Sequence, residues 1–340
     1  SDLIMLEGFN ISTQIIIFLL SGSIIWYFSH KLSHIVDFLN DEFKLGAAFG
    51  GTILLSLVVN LPEVAIVIKG TLQGDTSLAI GNILGGIAIQ TVLLGFFDFM
   101  TRKEAHPITT ITSNTNAISQ GIFLVLILSL VILGSQLDQM HVNLRISPIE
   151  ILIVIAWVLS LLTLKRCEAG NLIPMPEINP EHGIKYSRKK AIFYMMLISI
   201  IILFFGYILA ETSEQIATHY QVSGVVFGAT ILSLVTALPE ISGGLAFIKT
   251  KKYNILVSDI FGGNSFLPLL FLLANILNSA SILPEARKTD LYLTALSMIL
   301  TLTFVLGMVI KFPKRYFGIG LDSWIAIVIY ITGVFGLYFI

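Results

Sequence analysis

Long apolar segments alternate with short polar ones along the whole chain. Each apolar segment is about 20 residues long, the length that a helix needs to cross roughly 30 Å of hydrocarbon. The pattern predicts ten transmembrane helices, at 12–28, 44–69, 77–97, 117–133, 148–164, 191–209, 222–247, 254–277, 290–310 and 323–340. Because a helix satisfies its own backbone hydrogen bonds in lipid, the predicted fold is an all-α polytopic membrane protein.

Composition agrees with this class of protein. Of the 340 residues, 55% are hydrophobic and only 12% are charged, and the mean hydropathy is +0.89. Soluble domains carry about 25% charged residues. The net charge of −1 gives no indication of nucleic-acid binding, and the single cysteine, Cys167, excludes a disulfide framework within one chain. Residues 1–10 lack a basic region, so no cleavable signal is predicted.

One stretch of sequence occurs twice. Residues 51–63 read GTILLSLVVNLPE and residues 228–240 read GATILSLVTALPE, with eight of 13 positions identical. The same shift of 177 residues relates the other predicted helices, so the chain divides into two five-helix repeats, 1–165 and 191–340, joined by a cytoplasmic linker, 166–190. Because five is odd, the second repeat enters the membrane from the opposite side. Two inverted repeats are typical of transporters that bind their cargo near the midplane.

The distribution of basic residues predicts the orientation. The loops that follow the odd-numbered helices carry 16 Lys and Arg side chains, against four on the other side of the membrane. By the positive-inside rule, the first group is cytoplasmic and both termini are extracytoplasmic. The expected location is the plasma (inner) membrane, with the lipid bilayer as the surrounding partner; no protein partner can be deduced.

The repeated stretch places a carboxylate deep in each of two apolar helices. The helical spacing aligns each glutamate with oxygen-bearing side chains on one face: Ser56, Asn60 and Glu63 in the first repeat, Ser233, Thr236 and Glu240 in the second. The proline before each glutamate breaks the helical hydrogen-bond ladder and frees carbonyl oxygens. Carboxylate, carbonyl and hydroxyl oxygens are the ligands that Ca²⁺ prefers. A simpler interpretation is that each glutamate lies at a helix end and reaches the interface, but intramembrane ionisable groups usually serve function.

The next helix of each repeat carries further polar residues. Asn82 and Gln90 lie on one face in the first repeat, and Asp259 and Asn264 lie on the corresponding helix of the second. These four side chains are candidates for the ion path. The glycine pairs beside them, 85–86 and 262–263, are explained by close packing of a neighbouring backbone.

At these residues the chain resembles the Ca²⁺/cation antiporter superfamily, which includes Na⁺/Ca²⁺ and H⁺/Ca²⁺ exchangers. The likeness lies in the duplicated LPE stretch and in GDTSLAIGN at 74–82, with the glycine pair after it. It covers nearly the whole chain. It implies ten helices in two inverted halves, with Glu63 and Glu240 as the central carboxylates.

The match at the site is incomplete. Thr236 corresponds to a threonine of the sodium-coupled members, and the segment from Asn60 to Glu63 resembles the Asn-x-x-Glu pattern of the proton-coupled members. Elsewhere the residues that the sodium-coupled members use are replaced, by Val59, Asn60, Ala237, Gly86, Gly263, Gln90 and Leu267.

The predicted function is secondary active antiport by alternating access. Glu63 and Glu240 bind either a divalent cation, with Ca²⁺ first, or the counter-ion, Na⁺ or H⁺. The predicted cation ligands are Glu63, Glu240, Thr236, Asn60, Gln90, Ser56, Ser233, Asn82 and Asp259; no cofactor is expected. Alternatives are a channel or uniporter with the same carboxylates, or an exchanger for Mg²⁺, Mn²⁺ or a monovalent ion. An intramembrane enzyme is disfavoured, because the predicted helices contain no protease motif.

Two further carboxylates, Glu211 and Glu214, fall between the sixth and seventh predicted helices. No basic residue is near them in the sequence. They could therefore attract cations to the entrance of the ion path, but a solvated loop on the extracytoplasmic side is the favoured interpretation.

Overall fold

The computed structural model describes residues 8–43, 54–137, 146–170, 187–277, 283 and 287–340. The first half of the chain contains α1 (Ile11–Phe43), α2 (Leu55–Val59), α3 (Leu61–Gln73), α4 (Ser77–Met100), α5 (Ile108–Ile111), α6 (Thr115–Ser135) and α7 (Pro148–Gly170). The second half contains α8 (Arg188–His219), α9 (Gly224–Phe227), α10 (Ser233–Thr236), α11 (Leu238–Lys249), α12 (Tyr253–Phe266), α13 (Leu270–Leu277), α14 (Lys288–Ile310) and α15 (Leu321–Gly336). A π-helical turn, Gly228–Leu232, joins α9 to α10, and 3₁₀ turns lie at Leu267–Leu269 and Leu337–Phe339.

The helices confirm the all-α polytopic membrane fold. Among the described residues, seven helices are long and apolar enough to cross a bilayer, and the bent segment from α9 to α11 makes an eighth candidate. The two remaining predicted spans correspond to α15, with 16 residues, and to α2 with α3. Residues 44–53, where the second predicted span begins, lie outside the described part of the chain.

Two helices extend well beyond their apolar segments. The hydropathy pattern ends the first and sixth helices at 28 and 209, whereas α1 continues to Phe43 and α8 to His219. The extensions are stabilised by packing, since α1 and α8 lie along each other. Leu32, Val36 and Leu39 are buried on the extended part of α1. Burial along one face therefore lengthens both helices beyond what hydropathy alone predicts.

Helix α4 lies at the centre of the molecule and touches the broken helix of the second half. A Cβ atom on Gly81 would lie 2.3 Å from the carbonyl oxygen of Val225, and one on Gly85 would lie 2.2 Å from the Cα of Ala229. Only glycine permits this backbone-to-backbone contact. The packing interpretation therefore holds for Gly85. It is wrong for Gly263, where an added Cβ would meet no atom within 4 Å.

A short β-hairpin is an exception to the all-helical prediction. Strand β1 (Arg315–Tyr316) pairs in antiparallel register with β2 (Ile319–Gly320), just before α15. Buried Asp98, at the end of α4, accepts hydrogen bonds from the Arg315 guanidinium and from the backbone N–H of Gly320. This ion pair fixes the hairpin against α4, and a pairing between residues so far apart leaves no local pattern in the sequence.

Candidate functional site

Two interrupted helices position the two repeated glutamates. The chain leaves helical geometry at Asn60, between α2 and α3, and at Ala237, between α10 and α11. In each case a leucine and a proline form the first turn of the next helix, and the glutamate follows in that turn. The proline supplies no N–H, which matches the first turn of a helix and forbids continuation from the previous one. Both carboxylates therefore lie at a helix N-terminus, where the partial positive charge favours an anion.

The two carboxylates lie together in the interior. Glu63 is 1% exposed and Glu240 is 9% exposed. They are close enough to repel each other electrostatically, and Asp259 adds a third negative charge near Glu240. Thr236, from the second half, interacts with the carboxyl group of Glu63 from the first. Groups from both repeats thus meet at one place, and like charges this close favour a bound cation.

The neighbouring polar side chains form a hydrogen-bond network between the two halves. Gln90 of α4 donates its Nε2 to Oε1 of Glu240 over 3.2 Å. Asn82, also on α4, accepts from the hydroxyl groups of Thr236 at 3.3 Å and Ser233 at 3.5 Å. This network aligns the broken helix of the second half against α4.

Four buried oxygens around this network have no hydrogen-bond partner within the described chain. They are Oε2 of Glu63, Oε2 of Glu240, Oδ1 of Asn60 and Oδ1 of Asn264. Buried polar atoms normally have partners, so each such atom calls for an explanation. All four are hard oxygen donors of the kind that Ca²⁺, Mg²⁺ and Na⁺ coordinate. The donor set therefore fits a metal cation as cargo.

The structure locates each predicted ligand as follows. Glu63, Glu240, Thr236, Asn60, Gln90, Asn82 and Ser233 are all buried. Ser56 is also buried, and its backbone carbonyl accepts from the Asn60 side chain at 2.7 Å. Asp259 is half-buried beside Glu240. The roles of these side chains as cation ligands remain predictions.

The structure adds Asn264 as a further candidate cation ligand. Asn264 on α12 donates its Nδ2 to the hydroxyl of Thr91 at 3.1 Å, and its Oδ1 has no hydrogen-bond partner in the part of the chain that the structure describes. It therefore faces the same stretch of α4 that presents Gln90 to Glu240. The sequence analysis names Asn264 as a candidate for the ion path but not as a cation ligand, and its counterpart in the first repeat, Ile87, carries no side-chain oxygen.

The expectation for Glu211 and Glu214 is wrong. Both residues lie on α8 rather than in a solvated loop, and Lys69 of α3 pairs with both carboxylates. The Lys69 side chain is 2% exposed. The partners are more than 140 residues apart in sequence, so only the packing of α3 against α8 brings them together.

Comparison with known proteins gives a consistent result. The sequence profile described as "Sodium/calcium exchanger protein" matches residues 13–165 and 190–339, one match for each half of the chain. The inner membrane protein YrbG of Escherichia coli (strain K12) is 21% identical over 301 residues, which cover 86% of this chain and 88% of YrbG.

Solved structures share the fold at low sequence identity. Native YfkE superposes with a TM-score of 0.68 and 14% identity, covering 95% of this chain and 92% of YfkE. The H⁺/Ca²⁺ exchanger CAX superposes with a TM-score of 0.65 and 13% sequence identity, and the match covers 96% of this chain and 87% of CAX. The sodium-calcium exchanger NCX_Mj superposes with a TM-score of 0.61 and 18% sequence identity, and the match covers 97% of this chain and 100% of NCX_Mj.

Proposed function

Because the chain belongs to the sodium/calcium exchanger family, we propose that its buried glutamate pair binds and exchanges cations across the membrane. The proposed cargo is a divalent cation, of which Ca²⁺ is the leading candidate, and the proposed counter-ion is Na⁺ or H⁺. The observation that carries the proposal is the meeting of Glu63 and Glu240, one from each half, among buried oxygens that have no hydrogen-bond partner in the described ranges. Two carboxylates balance the charge of one divalent ion, two sodium ions or two protons.

The residues divide the work between charge and orientation. Glu63 and Glu240 supply the negative charge, and the break before each one points it into the interior from a helix N-terminus. Gln90 holds one oxygen of Glu240 and leaves the other for the cation. Asn82, Thr236 and Ser233 keep α10 against α4. Because cargo and counter-ion use the same carboxylates, they bind in turn, which couples their movement.

The small number of oxygen ligands at the site favours binding of few ions at the same time. The resemblance implies oxygen ligands at several positions of the sodium-coupled members, and here those positions carry Val59, Ala237, Gly263 and Leu267, which offer no side-chain oxygen. Fewer ligands favour exchange of one divalent cation for a small number of counter-ions over binding of several sodium ions at once. Protons need no coordination sphere of their own and suit such a reduced site.

The orientation follows from the charges. The excess of Lys and Arg at the ends of α1, α4, α7, α11 and α14 supports a cytoplasmic location for that face and an extracytoplasmic location for both termini. Lys69 lies on the opposite face, near the end of α3. Because it is paired with Glu211 and Glu214, it weakens the difference in positive charge between the two faces only slightly. The E. coli relative is an inner membrane protein, which supports the same location for this chain. We refer below to the face at which α3 and α8 end as the outer face.

Transport by purified protein in proteoliposomes tests the proposal. We expect Ca²⁺ uptake to be driven by an outward gradient of either Na⁺ or H⁺, imposed one at a time, and to be lost in Glu63→Gln and in Glu240→Gln. Each substitution removes one of two charges while keeping the shape of the side chain. Glu104→Gln, the same change at a loop residue away from the site, serves as the matched control and should transport normally.

Two results would contradict antiport. Full Ca²⁺ flux in both glutamine variants would remove the carboxylate pair from the mechanism. Flux that follows the Ca²⁺ gradient alone, with no response to Na⁺ or H⁺, would identify a channel or uniporter built on the same residues.

A further inference from the structure

A fully buried lysine lies on the helix that carries Glu63. Lys69 is 1% exposed and follows Glu63 by six residues on α3. Its ammonium group is 3.1 Å from Oε2 of Glu211 and also pairs with Glu214, both on α8. Gln73, one turn further along α3, donates to Glu211 over 3.5 Å. The outer ends of α3 and α8 are thus joined by a cluster of one cation and two anions.

The same two helices also touch beside the cation site. Gly206 of α8 lies against the start of α3, where an added Cβ would be 2.6 Å from the Cβ of Ala65 and 3.4 Å from the carbonyl oxygen of Pro62. Contact between α3 and α8 therefore runs continuously from the level of Glu63 to the outer face. A separation of these helices at Lys69 would therefore act, through α3, on the turn that carries Glu63.

A polar cavity reaches inward from the cluster. Its volume is about 100 Å³, and it lies between α3, α4, α8 and α9. Lys69, Glu214 and Asp75 line it together with Ile66, which is one turn beyond Glu63 on α3. A cavity of this size and polarity holds several water molecules. Water is therefore available to solvate Lys69 and Glu214 as soon as they part.

We propose that Lys69, Glu211 and Glu214 form an outer clamp, which closes the outer face over Glu63 and opens when transport exposes the site to that side. The inference rests on the proposed function, because it treats Glu63 as part of a transport site. Lys69 is a positioning residue here: it acts on the cation site through α3, and it does not ligate the cargo.

The energetics of buried ion pairs suit a clamp that must open. Desolvation of the partners offsets most of their mutual attraction, so a buried pair adds little net stability. Separating the ion pair therefore costs little free energy when water hydrates each of the separated charges. Removing one partner is different, because it leaves a buried charge without compensation, which is strongly destabilising. A variant that lacks only the lysine, or only the carboxylates, should therefore relieve that charge by opening to water.

Cysteine accessibility tests the clamp in the full-length protein. In a Cys167→Ser background, Ile66→Cys reports on the outer cavity and Ser242→Cys reports on the opposite side, on α11 two residues beyond Glu240. A membrane-impermeant maleimide is added to one side at a time. With Lys69→Met we expect labelling of the outer reporter to rise roughly tenfold or more, as an uncompensated buried charge implies, and labelling of the inner reporter to fall.

Two further variants separate the clamp from a general loss of stability. Glu211→Gln with Glu214→Gln leaves Lys69 unpaired and should shift both reporters in the same directions as Lys69→Met. The triple variant, Lys69→Met with both glutamines, carries no charge at the three clamp positions and should return labelling close to the parent rates. If Lys69→Met does not fold, the double glutamine variant still decides the question.

Two patterns of labelling would overturn the clamp. One is unchanged labelling of both reporters in folded Lys69→Met and double glutamine variants. The other is faster labelling on both sides, which would mean that the cluster only holds the fold together. The labelling assay needs no transport, so a failure of the wild-type protein to exchange cations would refute the proposed function and leave this test intact.

Discussion

At the scale of single residues, the central feature is a set of buried oxygens that find no hydrogen-bond partner among the described residues. Leaving a buried donor or acceptor unpaired costs about 1–3 kcal/mol. Glu63, Glu240, Asn60 and Asn264 each retain one such oxygen. A chain that keeps four of them near two carboxylates loses stability unless a ligand compensates for them. We expect a bound cation to be that ligand.

Asn264 allows a direct test of this argument. In Asn264→Leu, Oδ1 is lost while the number and branching of side-chain heavy atoms are kept, so the Ca²⁺ concentration for half-maximal transport should rise roughly tenfold, the equivalent of about 1.4 kcal/mol. Thr91→Val is the matched control, because it removes the partner of Nδ2 and leaves Oδ1 in place. Initial rates of Ca²⁺ uptake over a range of concentrations measure the difference. An equal effect of both substitutions would show that Asn264 serves packing alone.

At the scale of elements, the contact between α4 and the broken helix of the second half decides where the site lies. Gly85 and Gly86 are neighbours in sequence, but their surroundings differ sharply. An added Cβ would lie 2.2 Å from Ala229 at Gly85, whereas at Gly86 the nearest atom, Cδ1 of Leu267, is 3.8 Å away. The first distance excludes any side chain, and the second is ordinary van der Waals contact.

This difference predicts opposite effects from the same substitution. Gly85→Ala should destabilise the protein by about 1–3 kcal/mol or more, because the methyl group forces α4 away from Ala229. Gly86→Ala should be neutral or stabilise by up to about 1 kcal/mol, because alanine restricts the unfolded chain and has room in the helix. The apparent melting temperature of purified protein in detergent, followed by size-exclusion chromatography, measures both. Equal melting temperatures for the two variants would contradict the close contact at Gly85.

At the scale of the whole molecule, the sequence predicts the features that repeat or extend over many residues. The length of apolar segments indicated the spans, and the two LPE stretches indicated the halves, the breaks and Glu63 with Glu240. Features that depend on pairs distant in sequence were missed. They include the contact of Lys69 with α8, the ion pair of Asp98 with Arg315, and the extension of α1 and α8 beyond their apolar segments. The hydropathy pattern indicates which segments face lipid, but it does not identify buried polar pairs between residues that are distant in sequence.

The central claim is that one divalent cation is held jointly by the two halves of the molecule. Equilibrium binding of radioactive Ca²⁺ to purified protein tests it most directly, with wild type, Glu63→Gln and Glu240→Gln compared over a range of pH. We predict one saturable site in the wild type that weakens as the pH falls, because protons compete for the same carboxylates, and its loss in either variant, because each half supplies one charge. Undiminished Ca²⁺ binding in either glutamine variant would contradict a site shared between the two repeats.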